Sequence, residues 1–246
     1  MALNNLGNVY LKLGRKQEAI ACYRDAIHVK PDLALAYNNL GEIYRQSKQF
    51  NIAISSIQKA LASKPNFAEA HYNLGLVLQE LGKSKEAVAS YNKAIELKSN
   101  YGEAHSNLGV ALFGLGFLNE AITSFHEALK IIPNSAEVYH NLGNALRILG
   151  QLDEAVSSCD EAIKIKPDYD EAYNNRGNSL VELGKQEEAI ESYKQALSYN
   201  PTFALAHSNL LFSEQYRSDH DMASLYNLHC EWDDRHGHQY RAMWPD

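Results

Sequence analysis

The tripeptide Asn-Leu-Gly recurs along this chain at a constant interval of 34 residues. Its asparagine stands at Asn5, Asn39, Asn73, Asn107, Asn141, Asn175 and Asn209. The sixth copy has Arg176 in place of the leucine, and the seventh has Leu211 in place of the glycine. A fixed period of this length without insertions predicts a stacked array of small repeats instead of one globular core.

Other positions keep the same phase, because two small residues flank a large apolar residue in each repeat. The first small residue is Ala19, Ala53, Ala87, Ala121, Ala155 and Ala189. The second is Ala26, Ala60, Ala94, Ala128, Ala162 and Ala196. The large apolar position between them is Tyr23, Ile57, Tyr91, Phe125, Cys159 and Tyr193. Proline closes the repeats at Pro31, Pro65, Pro133, Pro167 and Pro201, with Ser99 in the remaining place.

This pattern resembles the tetratricopeptide repeat (TPR) over roughly residues 1–201. The resemblance implies an all-α fold, a TPR α-solenoid in which helix-turn-helix repeats form a right-handed superhelix. We expect six tandem repeats in residues 1–201, the first lacking its start. Residues 202–246 are then expected to hold a seventh A helix at about residues 203–215, a C-terminal capping helix and a tail. The capping helix is predicted to start after Arg217-Ser218-Asp219 and to run over about residues 221–235, with Met243 and Trp244 exposed beyond it.

Each repeat is predicted to form two helices, A and B, separated by a glycine turn. In the fifth repeat, helix A is predicted over residues 136–149 and helix B over residues 152–165. Gly150 separates them, because glycine enters the left-handed region of backbone space without strain. The second repeat has Lys48 at this place, which predicts a less sharp turn.

A helical wheel of the fifth A helix separates an apolar face from a polar stripe. Val138, Leu142 and Leu149 lie on the apolar face, whereas Asn141 and Asn144 lie on the stripe. The TPR resemblance implies that A helices line a concave groove. We therefore expect the groove to carry a row of carboxamides, which we call the asparagine row: Asn5, Asn39, Asn73, Asn107, Asn141, Asn175 and Asn209.

The asparagine row is the predicted binding site for an extended polypeptide, with Asn144 and Asn178 beside it. An asparagine amide both donates and accepts hydrogen bonds, so it can pair with peptide groups whatever the side chains of the peptide. The alternative interpretation is that each asparagine bonds to a neighbouring repeat and binds nothing. Seven poor helix formers in register call for one of these two explanations.

Charges beside the row bear on the kind of peptide. Four acidic residues fall near the starts of A helices: Glu69, Glu103, Glu137 and Glu171. They favour neutral or basic peptides, or they simply complement the helix dipole. The residues just before the row include no lysine, so the carboxylate clamp of some TPR co-chaperones is absent: Asn38, Tyr72, Ser106, His140 and Asn174.

Composition narrows the function further. The formal charge is −7 with a sequence pI of about 5.8, and no basic patch predicts a nucleic-acid or membrane partner. No apolar run reaches the roughly 20 residues that cross a bilayer. Three widely spaced cysteines indicate no disulfide framework, and we expect a cytoplasmic location. We expect no cofactor.

No sequence signature indicates catalysis in this chain. It contains no nucleophile elbow, phosphate loop or HExxH motif, so no catalytic residue is assigned. The C-terminal group of His229, Cys230, Asp233 and His236 matches no tight zinc-ligand spacing, so a capping helix is the favoured interpretation and no metal ligand is assigned.

The C-terminal part carries a second resemblance. The run from Ala206 to Phe212, followed by Tyr216, His229-x-x-Trp232 and His236-Gly237, is similar to the junction in bacterial members of the O-linked N-acetylglucosamine transferase family. There the last TPR helix passes into the glycosyltransferase portion, and an asparagine ladder also belongs to that family's TPR superhelix. The resemblance implies that this chain is the substrate-recognising arm and that the catalytic portion follows Asp246.

Two functions therefore compete. The favoured one is a protein–protein interaction module that binds extended polypeptide as the recognition arm of a glycosyltransferase. The alternative is a stand-alone TPR scaffold that assembles a protein complex. Self-association through Trp232, Trp244 or an unpaired end repeat is a third alternative.

Overall fold

A computed structural model describes residues 1–217 and 222–237, and these residues are helical with no strand. Contacts divide the chain into two units, residues 1–132 and residues 133–246. The expected start of the capping helix near residues 218–221 and the expected exposure of Met243 and Trp244 lie outside the described residues.

The first unit consists of four consecutive helix pairs. Their bounds are α1 Ala2–Lys12, α2 Lys16–Val29, α3 Ala34–Gln46, α4 Phe50–Ser63, α5 Ala68–Glu80, α6 Ser84–Leu97, α7 Gly102–Gly114 and α8 Leu118–Ile131. Each A helix packs on the B helix that follows it, and each B helix up to α6 packs on the next A helix. A helices α3, α5 and α7 also contact one another in order.

The second unit contains two full pairs, a further A helix and a capping element. Its helices are α9 Ala136–Leu149, α10 Leu152–Ile165, α11 Asp170–Glu182, α12 Gln186–Tyr199, α13 Ala204–Gln215 and α14 Met222–Trp232. A π-helical turn, Asp233–Gly237, follows α14 directly. The A helices α9, α11 and α13 contact one another in order, and α14 packs on α13.

The turns inside the helix pairs follow the glycine positions. Gly150 ends α9 in the left-handed region with φ 84°, and four other glycines at this position have φ between 73° and 83°. Lys48 adopts the same conformation with φ 56°. The prediction of a less sharp turn in the second repeat is therefore wrong, because lysine accepts the strained conformation that the neighbouring helices impose.

The large apolar residue of each B helix fills the space beside the glycine of Asn-Leu-Gly. The Tyr91 side chain is fully buried, and a Cβ added to Gly75 would lie 2.5 Å from its ring. In the fifth repeat the facing side chain is Cys159, whose Sγ would lie 3.0 Å from a Cβ on Gly143. Burial raises the pKa of the Cys159 thiol to about 12. Helices A and B therefore approach each other closely at this glycine.

The fold class is confirmed as all-α, with consecutive packed helix pairs over the described part of the chain. The predicted helices of the fifth repeat, residues 136–149 and 152–165, match α9 and α10. Val138 and Leu142 are buried as predicted, whereas Leu149 is 37% exposed because it ends the helix beside the turn.

Candidate peptide-binding surface

The asparagine row occupies one position on the A helices. Asn5 is exposed, and the other six members are half-buried: Asn39, Asn73, Asn107, Asn141, Asn175 and Asn209. This intermediate exposure leaves part of each carboxamide at the surface while another part contacts the protein.

In the first unit, the row is bonded from one A helix to the preceding one. Asn73 Nδ2 donates to Asn38 Oδ1 at 3.0 Å, and Asn107 Nδ2 donates to the Tyr72 hydroxyl at 2.9 Å. Asn39 Nδ2 donates to Asn4 Oδ1 at 3.2 Å and to Asn8 Oδ1, one helical turn further on, at 3.1 Å. Each donor therefore reaches the residue 35 positions earlier.

The second unit repeats this arrangement. Asn209 Nδ2 donates to Asn174 Oδ1 at 2.9 Å and to Asn178 Oδ1 at 3.1 Å. Asn175 Nδ2 lies 3.5 Å from His140 Nδ1. Burial lowers the pKa of His140, which favours the neutral ring whose nitrogen can accept this bond.

The acceptor residues were not predicted as hydrogen-bond partners of the row. The sequence pattern at their position indicated only that no lysine stands there. They occupy the position just before the row, and most are bonded to the next row member: Asn4, Asn38, Tyr72, His140 and Asn174. The available signal was that this position carries a hydrogen-bonding side chain in every copy.

The alternative interpretation of the row expects hydrogen bonds between neighbouring repeats, and these bonds are present. They use the side-chain N–H groups of the row asparagines. The Oδ1 atoms of Asn73, Asn107 and Asn175 accept no hydrogen bond from the described residues. In these three residues the hydrogen bond of the side-chain nitrogen fixes the carboxamide, and the carbonyl oxygen of the same group is left without a donor. Peptide binding by the row remains a proposal.

The two predicted residues beside the row play different parts. Asn178 Oδ1 accepts from the Tyr193 hydroxyl at 2.8 Å as well as from Asn209, so it joins helix α12 to the row. Asn144 Oδ1 lies 3.4 Å from an Arg147 terminal nitrogen on the same helix. Asn178 is thus part of the bonded network, whereas Asn144 orients an arginine.

Two arginines link successive A helices through ion pairs. Arg45 bonds to Glu42 on its own helix and to Glu80 on the next A helix, and Arg147 Nη1 lies 2.7 Å from Glu182. The hydrogen bond with Glu42 raises the pKa of Arg45 above its ordinary value, against the effect of burial. These arginines are already paired, so they add no net positive charge to the surface.

The four acidic residues near the helix starts are exposed. Glu69, Glu103, Glu137 and Glu171 lie in the first turns of α5, α7, α9 and α11. This placement suits favourable interaction with the helix dipole. Their effect on peptide selectivity remains a prediction.

Residues quoted for the C-terminal resemblance lie together where α14 and the π-helical turn meet α13. Trp232 Nε1 donates to Ser208 Oγ at 3.1 Å, and the ring centroids of Trp232 and His236 are 5.7 Å apart. His207 Nδ1 lies 3.3 Å from His236 Nε2. We call His207, Ser208, Trp232 and His236 the junction cluster.

The described ranges, 1–217 and 222–237, contain neither a group of metal-binding side chains nor a membrane-spanning helix. No three His, Cys, Asp or Glu side chains are grouped there so that they could hold a metal ion. No helix in these ranges has the length and apolar character needed to cross a membrane.

Comparison with known proteins places the chain in a family. A model described as TPR repeat matches residues 7–46, 41–82, 80–116, 115–147, 143–184 and 177–210. A search of curated protein sequences found no match. The matched repeats extend from the first A helix to the seventh.

Several solved structures share the fold. YrrB, described as a TPR protein with an unusual peptide-binding site, is 26% identical, with 75% of this chain and 95% of YrrB covered and a TM-score of 0.67. MamA is 29% identical, with 67% and 96% covered and a TM-score of 0.63. PilW, a type IV pilus biogenesis factor, is 22% identical, with 85% and 97% covered and a TM-score of 0.74, which shows the fold alone.

Tandem helix pairs with a bonded polar row along their A helices define a helical-repeat protein. The chain belongs to the TPR family. It is a protein–protein interaction module.

Proposed function

We propose that the A helices within a unit bind an extended polypeptide along the surface that carries the asparagine row. The observation that carries the proposal is the bonding of the row: amide nitrogens are held by the preceding helix, while the oxygens of Asn73, Asn107 and Asn175 have no partner among the described residues. These oxygens accept hydrogen bonds from the backbone N–H groups of the bound chain.

The energetics favour a peptide that spans several repeats. Each hydrogen bond contributes about 0.5–1.5 kcal/mol net, so useful affinity requires several row members. The inter-helix bonds fix the carboxamides before the peptide arrives, which lowers the entropy cost of binding. The similarity to YrrB, described as having a peptide-binding site, supports this proposal.

The experiment compares two variants that lose the same inter-helix hydrogen bond. Asn107→Ala removes both the row carboxamide and its bond to Tyr72, whereas Tyr72→Phe removes only the hydroxyl that accepts the bond. A peptide selected from a displayed random library on the unaltered protein is labelled, and its affinity is measured by fluorescence anisotropy. Asn107→Ala is expected to weaken binding about fivefold, and Tyr72→Phe less than twofold.

Equal effects of the two variants on affinity would mean that the row serves the fold alone. Thermal unfolding of both variants supplies the control, because each loses one bond worth about 0.5–1.5 kcal/mol. Because each variant loses one hydrogen bond, only a small loss of stability is expected in Asn107→Ala and in Tyr72→Phe.

We further propose that this module is the substrate-recognition arm of a glycosyltransferase similar to the O-linked N-acetylglucosamine transferases. The support is the junction cluster, since Ser208, Trp232 and His236 carry the sequence resemblance and Trp232 contacts both of the others, Ser208 on α13 and His236 in the π-helical turn. The catalytic part is then a separate domain that follows Asp246, and the arm itself performs no catalysis. A cytoplasmic location accompanies this proposal.

The reading frame of the gene tests this second proposal directly. A continuation of a few hundred residues with alternating helix and strand patterns beyond Asp246 is expected. A stop codon soon after Asp246 would favour the stand-alone scaffold instead. Peptide binding by the row is independent of that outcome.

A further inference from the structure

Helix α13 is apolar on the face where α11, the preceding A helix, is polar. Four residues of α13 at i, i+4, i+7 and i+11 share this face with the asparagine row: Leu205, Asn209, Phe212 and Tyr216. The same positions on α11 hold carboxylates and carboxamides: Glu171, Asn175, Asn178 and Glu182. We call Leu205, Phe212 and Tyr216 the apolar stripe. The row therefore passes from a polar face on α11 to the apolar stripe on α13.

The side chains of the apolar stripe are open to solvent. Leu205 and Phe212 are each 57% exposed, and Tyr216 is 68% exposed. The rings of Phe212 and Tyr216 contact each other, with their centroids 4.7 Å apart. Single exposed apolar residues are ordinary on protein surfaces, whereas three on one helix face, two of them aromatic, are typical of an interaction surface.

Helix α14 leaves the apolar stripe uncovered. Ser208 stands just before the row, and its hydroxyl accepts from Trp232 Nε1 at 3.1 Å, as Asn174 accepts from Asn209. By this bond the indole N–H takes the place of a next row member, so α14 occupies the side of α13 where a next A helix would pack. The stripe stays exposed although that side is covered.

A cavity of about 210 Å³ adjoins the stripe at Phe212, with Val181 and Asn178 in its wall. The charged groups of the wall are already paired, because Arg147 Nη1 lies 2.7 Å from Glu182. A cavity of about 150 Å³ in a protein is enough to hold benzene. The space beside Phe212 therefore admits one aromatic side chain.

Exposed carboxylates lie beside the row on the two A helices before the stripe. Glu137 and Glu171 stand in the first turns of α9 and α11, and neither forms an ion pair within the described ranges. Both act on Tyr169, because burial first, and then these two carboxylates, raise the pKa of its hydroxyl to about 12. This part of the surface favours a cationic residue in a partner.

We propose that the apolar stripe and the adjoining cavity receive an aromatic side chain of the bound polypeptide, and that a lysine or arginine of the same polypeptide lies over α11. This inference rests on the proposed function, because the row must hold the polypeptide across both helices. Asn209 stands between Leu205 and Phe212 on one face, so a backbone on the row passes directly over the stripe.

The spacing of the two side chains follows from geometry. Packed helices lie about 8–10 Å apart, and an extended chain advances about 3.3–3.6 Å per residue. The step from α11 to α13 therefore corresponds to about three residues of polypeptide.

The first test selects peptides from a displayed random library on the full chain. Selected peptides are expected to share an aromatic residue with a lysine or arginine about three positions away. In a synthetic peptide, alanine in place of the aromatic residue should weaken binding about tenfold, measured by fluorescence anisotropy. Glutamine in place of the basic residue should weaken it about threefold at low salt and less at high salt.

Matched phenylalanine variants then locate the effect. Phe212→Asn introduces the residue type that α11 has at this position, and it should weaken binding of the aromatic peptide about tenfold but leave that of its alanine form unchanged. Phe117→Asn alters a 49% exposed phenylalanine in the turn before α8 and should change neither affinity. Both variants should keep their circular dichroism, because each ring is about half exposed.

Selected peptides without an aromatic preference, or with the same preference on Phe212→Asn, would overturn the inference. If Asn175→Ala still weakens their binding, the proposed function stands without it. Binding that depends on Phe212 but not on Asn175 would overturn both, because the stripe would then act without the row. Sedimentation that shows self-association lost in Phe212→Asn, with no aromatic peptide selected, would assign the stripe to a second copy of the chain and overturn the inference.

Discussion

At the residue scale, the contact between Gly75 and Tyr91 explains why glycine recurs inside the A helices. The added methyl group of Gly75→Ala would meet the Tyr91 ring at 2.5 Å. We predict that Gly75→Ala lowers the free energy of unfolding by about 1–3 kcal/mol, even though alanine is the better helix former. Urea denaturation measures this loss.

A matched pair in the same chain provides the control. The contact of Gly143 with the smaller Cys159 side chain is looser, at 3.0 Å. Gly143→Ala should therefore cost less than Gly75→Ala. Tyr91→Cys should also cost less in the Gly75→Ala background than in the unaltered protein, because the added methyl group then occupies part of the space that the ring leaves. Equal costs at the two glycines would contradict this explanation.

A second residue prediction concerns Lys48, whose φ of 56° is strained for a residue with a Cβ. Lys48→Gly should raise the free energy of unfolding by about 0.5–1 kcal/mol, because the left-handed conformation no longer carries a steric cost. Thermal unfolding checks it. Gly150→Lys, at the equivalent turn, should shift stability in the opposite direction by a similar amount.

The residue pattern predicted the asparagine row but not the hydrogen bonds that join it to the preceding A helix. Recurrence at 34 residues places Asn73 and Asn107 at one helical position, and this follows from local periodicity. Their partners, Asn38 and Tyr72, lie 35 residues earlier. That offset depends on how one A helix packs on the next, which periodicity within a helix does not specify.

At the element scale, the contact between α13 and α14 should depend on pH. Burial, then the charges of His236 and Arg235, lower the pKa of His207 below its ordinary value, and Glu231 opposes this effect. A lowered histidine pKa means that the folded state favours the neutral ring. Stability from this group is therefore present above the unfolded pKa of about 6.5 and is lost as pH falls through the lowered folded value.

We predict that acidification from pH 7.5 to about pH 5 loosens α14 from α13 before the repeats unfold. Trp232, bonded to Ser208, reports the change through its fluorescence in a Trp244→Phe background. His207→Gln should flatten the pH response, since glutamine does not titrate. The same pH response in this variant would assign the effect to other groups.

Helix limits were predictable where glycine and proline mark them, as the match of α9 and α10 shows. The C-terminal helix was predicted over residues 221–235, but α14 ends at Trp232 and continues as a π-helical turn. No proline or early glycine stops this helix, and Gly237 closes the turn. Trp232 and His236, on either side of that boundary, both contact α13, and such contacts between helices are not encoded in the local pattern.

At the scale of the whole molecule, packing between neighbouring helix pairs predicts that stability is a sum of local terms. Deleting residues 68–101, a complete period that contains α5 and α6, should leave a folded helical protein with a lower urea midpoint and a smaller m-value. Circular dichroism and urea denaturation measure both.

Deletion of residues 68–83, which removes α5 but leaves α6, is the matched control. It brings two B helices into succession, so the apolar face of α6 loses its A-helix partner and cooperative unfolding should disappear. If both deletions unfold alike, neighbour packing in register is not what stabilises the chain.

The buried thiol of Cys159 can report how often the fifth repeat opens locally. With its pKa raised to about 12, the group holds almost no reactive thiolate at neutral pH while α10 stays in place. Cys22 and Cys230, which are half-exposed, should react with a maleimide first. The rate of the slow third labelling event, followed by mass spectrometry, then measures local opening of the fifth repeat, and no cysteine has to be introduced.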